Sequence, residues 1–86
     1  MAYRPVTDFD RAVSAYIRST AGIKKLTKVK LADRCGISIE TFKRYWSGDR
    51  SITLGDFNTI IRALDVSPEQ AIKEIERIFE AGEYAD

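Results

Sequence analysis

The sequence predicts an all-α fold of five helices, and three observations carry that expectation. Apolar residues recur at intervals of three and four through most of the chain. A serine or threonine stands just before each such run, and a glycine follows the first three. No alternating apolar and polar run bounded by turn residues competes, and there is no internal repeat, low-complexity tract or long linker. With 86 residues the chain fits one domain over 1–86, a size at which folding buries roughly 60–65% of the unfolded surface.

The elements follow in order. Thr7 and Asp10 have capping-box spacing, and Phe9, Ala12, Val13, Tyr16 and Ile17 then line a first helix over about 8–19, stopped at Gly22. Thr27 caps a second helix over about 28–35, with Leu31, Ala32 and Cys35 inward and Gly36 in a left-handed turn. So short a helix is unstable alone and needs neighbours. Ser38 caps a third over about 39–47, where Glu40 complements the dipole and Gly48 is the stop. Thr53 and Asp56 have the spacing of another capping box, for a helix over about 54–64 striped by Leu54, Phe57, Ile60, Ile61 and Leu64. Ser67-Pro68 is a cap followed by a first-turn proline. Gln70 completes the box, and Ala71, Ile72, Ile75, Ile78 and Phe79 line a fifth helix over about 68–80.

Composition narrows the function classes. The chain has no histidine, no glycine-rich phosphate loop and no acid cluster, which argues against an enzyme, a metal site or a cofactor. The lone Cys35 excludes an internal disulfide and suits a buried thiol in a reducing compartment. No apolar run is long enough for a signal peptide or a membrane span, so a cytoplasmic protein is expected. Net charge is only +1, but it is unevenly spread. Between Arg18 and Arg50, nine Lys or Arg oppose Asp33, Glu40 and Asp49; from Ser51 onward, eight acids oppose Arg62, Lys73 and Arg77. One face is therefore suited to an anionic partner and the other turns away from it.

The second and third helices are joined only by Gly36-Ile37-Ser38, a connection suited to the steep crossing of a helix-turn-helix. Ala32 must then be small, with Ile37, Phe42 and Tyr45 closing the wedge. Stepping around the third helix at about 100° per residue puts Phe42 and Tyr45 inward and leaves Glu40, Lys43, Arg44 and Ser47 on the outer face. Such a helix fits the major groove, where guanine offers two acceptors to arginine or lysine and cytosine offers a donor to a carboxylate. Arg44 is the first choice for a base contact, because its planar fork reads guanine bidentately. Lys43 reaches a base or a phosphate. Glu40 accepts from cytosine or orients Arg44 by a salt bridge, and Ile39 either meets a thymine methyl or braces Phe42. Backbone contacts are expected from Thr27, Lys28 and Lys30 at the start of the second helix, from Ser38 and Thr41, and from Lys24, Lys25 and Arg50 in the flanking loops. Trp46 reads as a half-buried residue resting against the fourth helix, with its indole N–H seeking a partner.

The arrangement resembles the helix-turn-helix family of phage Cro and lambda repressor, which includes many small bacterial regulators. The resembling stretch runs from Leu26 to Pro68, and its most specific features are Leu31-Ala32, the turn Gly36-Ile37-Ser38, Gly48 and the closing "IIRALDVSP". In that family the position held here by Lys28 usually carries a phosphate-binding glutamine. Ser38, Ile39, Glu40, Lys43, Arg44 and Ser47 match positions that commonly meet the major groove. The resemblance implies a five-helix scaffold and a transcriptional regulator binding a double-stranded operator as a dimer. Ile72, Ile78, Phe79 and Tyr84, in or near the fifth helix, are the candidates for dimerisation, unless they pack on the first helix. The competing reading is a protein-interaction module, such as an antitoxin or anti-repressor, that uses the same scaffold to hold another protein.

Overall fold

A computed structural model describes residues 5–84, and the ends of the expected 1–86 domain lie outside the described residues. Five helices follow in order: α1 (Asp8–Ile23), α2 (Lys28–Cys35), α3 (Ile39–Ser47), α4 (Leu54–Ala63) and α5 (Pro68–Ala81), with no strand among the described residues. Each begins at the hydroxyl residue the sequence nominates. Thr7, Thr27, Ser38, Thr53 and Ser67 each accept the backbone N–H three residues on, at 3.1–3.3 Å. Each such cap contributes about 1 kcal/mol. A full capping box closes at α1, where Asp10 accepts the Thr7 N–H at 2.8 Å. The box expected at Thr53 does not close, because the Asp56 carboxylate accepts the Tyr45 hydroxyl at 2.5 Å instead.

One helix end corrects an expectation. α1 passes through Gly22 to Ile23 and stops where Lys25 turns left-handed at φ 59°. The N–H groups of Lys25 and Leu26 then close on the Gly22 and Ala21 carbonyls at 3.1 and 2.9 Å. α4 ends in the same way at Asp65, also φ 59°, with the Val66 N–H on the Ile61 carbonyl. In both places the next residue is a half-buried apolar side chain, Leu26 or Val66. Its docking holds a non-glycine residue in a conformation that ordinarily favours glycine. α5 extends to Ala81 and stops at Gly82, φ 70°.

α1 packs on α3 and α5, α2 packs on α3 and α4, and α4 meets α5. Their shared core holds Ala12, Tyr16, Ile17, Leu31, Ala32, Phe42, Tyr45, Ile60, Ile61, Leu64, Ala71, Ile75 and Ile78. Phe42 is fully buried, as its inward position in α3 demands. The periodic stripes overreach at their edges: Phe9, Leu54, Ile72 and Phe79 share the phase of the core residues yet remain exposed.

Two outcomes follow. Phe42→Ala should cost about 3–5 kcal/mol through cavity and lost contact, read as a fall in the urea midpoint; an unchanged midpoint would contradict the packing. Tyr45→Phe should cost about 1–3 kcal/mol by removing a hydrogen bond to a carboxylate. Burial pushes the Tyr45 phenol above its ordinary value, helped by the bond to Asp56 and that residue's charge, while Arg50 pulls the other way. The neutral phenol is therefore favoured in the fold. Its contribution is intact below about pH 10 and is lost as pH rises through the folded value. Urea midpoints measured from pH 9 upward should fall less steeply for Tyr45→Phe than for the parent chain.

Candidate nucleic-acid interface

Two short helices and the turn between them make up the site. The turn is built by Gly36 at φ 66°, whose N–H meets the Asp33 carbonyl, while the Ile37 N–H meets that of Ala32, both at 3.2 Å. Ile37 then rests half-buried on the core and Ser38 opens α3. Phe42 and Tyr45 anchor the inner side of α3 and Trp46 lies half-buried, its ring tilted against Phe42 at 6.1 Å.

The C-terminal end of α3 is held from α1. The Ser14 hydroxyl, fully buried, donates to the Tyr45 carbonyl at 2.6 Å, and the Arg18 guanidinium donates to the Trp46 carbonyl at 2.5 Å. Sequence reasoning missed both roles. The available signal was a serine and an arginine one turn apart, interrupting the apolar stripe of α1.

Around this frame, Glu40, Lys43, Arg44 and Ser47 are exposed on α3. Thr41 is half-buried, and Ile39, also half-buried, packs on the core as the bracing alternative requires. The Ser47 hydroxyl lies 2.9 Å from the Asp49 carboxylate and 3.3 Å from the Arg44 carbonyl, so local acceptors engage it. Ser38 and Thr27 spend an oxygen lone pair on capping and keep a hydrogen to donate. Lys28 is half-buried and Lys30 exposed in the first turn of α2, which carries no acid to offset the positive end of the helix dipole. Lys24 and Lys25 are exposed in the loop before it. Arg50 sits in the loop after α3, its guanidinium 5.8 Å from the centre of the Tyr45 ring.

The ion pairs lie away from this region. Among the described residues the ion pairs are Arg11–Asp8, Arg77–Glu74 and Arg77–Glu83, all outside the basic segment. Within it, Arg18 is bound to a carbonyl and Arg50 lies over a ring. Lys24, Lys25, Lys28, Lys30, Arg34, Lys43 and Arg44 make no side-chain hydrogen bond or ion pair among the described residues, and Glu40 does not pair with Arg44. An array of unpaired cations on and beside two exposed helix faces can bind a polyanion at little cost in broken internal contacts.

Other chemistries find less support here. Burial, then the nearby Asp56 charge, push the Cys35 thiol up, which makes it a poor nucleophile. No group of three or more His, Cys, Asp or Glu among the described residues is placed to hold a metal, and none of their helices is long and apolar enough to cross a membrane. Of the residues expected to pair two chains, Ile78 belongs to the core at 6% exposure, Ile72 and Phe79 are exposed, and Tyr84 is half-buried against the Phe79 ring.

Searches among curated proteins and among solved structures found no match. Residues 17–76, from within α1 to within α5 and including the whole of α2 and α3, match the family model of the Cro/C1-type HTH DNA-binding domain. With most of its length inside that match and with the α2–turn–α3 geometry the family name describes, the chain belongs to the Cro/C1-type helix-turn-helix DNA-binding family.

Proposed function

We propose that the chain is a repressor of transcription that reads a double-stranded operator, each copy placing α3 in the major groove of one half-site. The observation that carries this reading is the set of seven cations on and beside α2 and α3 that pair with nothing among the described residues, whose ion pairs lie elsewhere. α3 has nine residues, and an α-helix with its side chains, about 10–12 Å across, fits a groove about 12 Å wide.

Arg44 is the guanine reader, with Lys43 on a neighbouring base or phosphate and Glu40 on cytosine. Ile39 lies at the edge of the base-facing side, and Ser47 contributes only when its bond to Asp49 opens. Lys28, Thr27 and Lys30 hold the backbone from the first turn of α2; Ser38, Thr41, Lys24, Lys25 and Arg50 hold it from the flanks. Two chains related by a two-fold axis would read half-sites about 34 Å apart, in the cytoplasm of a bacterial or phage-infected cell.

Selection from a random duplex library, followed by affinity titration at several fixed salt concentrations, tests the assignment. Arg44→Ala should lose about 1–3 kcal/mol on the selected site and relax preference at one base pair. Lys28→Ala should weaken all duplexes alike and lower the salt slope by about 1 per chain. Exchange of the two patterns would exchange the roles. A selection that enriches nothing, with neither substitution changing duplex affinity at low salt, would remove the DNA-reading account and leave a protein-interaction module such as an antitoxin or anti-repressor.

A further inference from the structure

An open groove of about 420 Å³ lies between α1 and α5, within the range of about 300–1,000 Å³ common for small-molecule sites. Ile23, Val66 and Ile78 give it apolar wall, and Ser19, Thr20 and Gln70 add polar side chains that make no hydrogen bond among the described residues. Tyr16 lines it too, and is 6% exposed. A tyrosine so deeply buried usually spends its hydroxyl on a partner, as Tyr45 does on Asp56 at 2.5 Å. The Tyr16 hydroxyl makes no hydrogen bond among the described residues. No fully buried side-chain oxygen or nitrogen among them is left without a partner, so this hydroxyl is open, and the groove is the hollow its side chain lines. Phenylalanine would fill the same space without presenting a polar atom there.

The charges select the kind of ligand. The Arg77 guanidinium bonds Glu74 Oε1 at 2.8 Å and Glu83 Oε1 at 3.1 Å, and all three residues line the groove. Two carboxylates thus share one cation, which leaves one negative charge over. Each also keeps an Oε2 that accepts no hydrogen bond among the described residues. Arg77 is the sole cation among the described residues that line the groove. An anion is therefore repelled. A positively charged group with several N–H donors is matched by the carboxylate oxygens, the Tyr16 hydroxyl and the Gln70 amide oxygen.

We propose that this groove binds a small organic amine, its ammonium group held by Tyr16 and the Glu74–Arg77–Glu83 cluster and its apolar body lying on Ile23, Val66 and Ile78. The occupant rests against the helix that positions α3, since Ala15, Tyr16 and Ser19 are neighbours along α1 of Ser14 and Arg18. The site stands on the groove alone and is independent of the DNA reading.

Titration of the isotope-labelled full chain with phenethylamine, near neutral pH, at low salt and without DNA, tests this through amide chemical shifts. The amides of Ser19, Thr20, Gln70 and Glu74 should shift together and saturate, with a dissociation constant on the order of 1 mM for so small a ligand. Phenylacetate, the same ring with an anionic end, should shift none of them. Tyr16→Phe keeps the ring and loses a hydroxyl that has no partner in the fold, so its expected loss of roughly 2–10-fold reads the hydroxyl alone. Glu74→Gln should weaken binding by about tenfold, while Glu76→Gln, which removes an exposed acid of α5 outside the groove, should bind as the parent does. A titration that moves no groove amide well above that concentration overturns the proposal. Equal binding of phenylacetate, unchanged binding in Tyr16→Phe, or as large a loss in Glu76→Gln as in Glu74→Gln overturns it too.

Discussion

The position of α3 depends on a buried hydrogen bond: the Ser14 hydroxyl of α1 holding the Tyr45 carbonyl at 2.6 Å. A nine-residue helix offers few contacts of its own, and the last carbonyls of any helix have no partner inside it. Here two of them are taken by α1, through Ser14 and through Arg18 on the Trp46 carbonyl. The arginine also places a positive charge at the negative end of the α3 dipole. The Tyr45 carbonyl also takes the Gly48 N–H at 3.3 Å, but the Ser14 hydroxyl is fully buried, and leaving a buried donor unpaired would cost about 1–3 kcal/mol, so any tilt of α3 that breaks the bond is penalised. Phe42 anchors the inner face by burial alone, which is nondirectional, and Tyr45 by burial together with its hydroxyl bond to Asp56. The backbone-directed hydrogen bonds from α1 add direction to that anchoring.

This grip leaves the outer face free of structural duty. Cations that serve stability tend to be found in pairs, as Arg77 is with Glu74 and Glu83. The cations of α2 and α3 lack such partners, and the mutual repulsion of so many like charges is a standing cost to the folded state. Neutralisation by phosphates would relieve it, with release of counterions from the duplex. The electrostatics and the packing thus divide the labour: α1 fixes where α3 points, and α2 and α3 together supply the charge.

Much of this was legible in the sequence, for identifiable reasons. All five N-caps were, because a hydroxyl before a helical stripe has one dominant local use. The stops at Gly36 and Gly48 were legible too, since glycine there takes a positive φ. The stop of α1 at Lys25 was not, and neither was the way α4 turns at Asp65, although its end near 64 was: both left-handed turns are held by the docking of Leu26 and Val66, a tertiary effect with no marker in the residue that turns. Periodicity likewise placed Leu54 in the stripe of α4, because phase tells which side of a helix a residue occupies but not whether another element covers it. The basic residues of the site were countable from the sequence. Whether acids elsewhere in the chain neutralise them was not, because pairing depends on which helices become neighbours. The roles of Ser14 and Arg18 were not legible for the same reason, their acceptors being backbone atoms 31 and 28 residues away.

The connection that follows α3 is also held from α1. Residues 48–53 lead from α3 to Leu54, and this short connection is tied down twice, by the Ser51 hydroxyl on Asp10 at 2.6 Å and by Arg50 over Tyr45. Asp10 itself closes the α1 capping box, so the connection is fixed to the same helix that grips the end of α3.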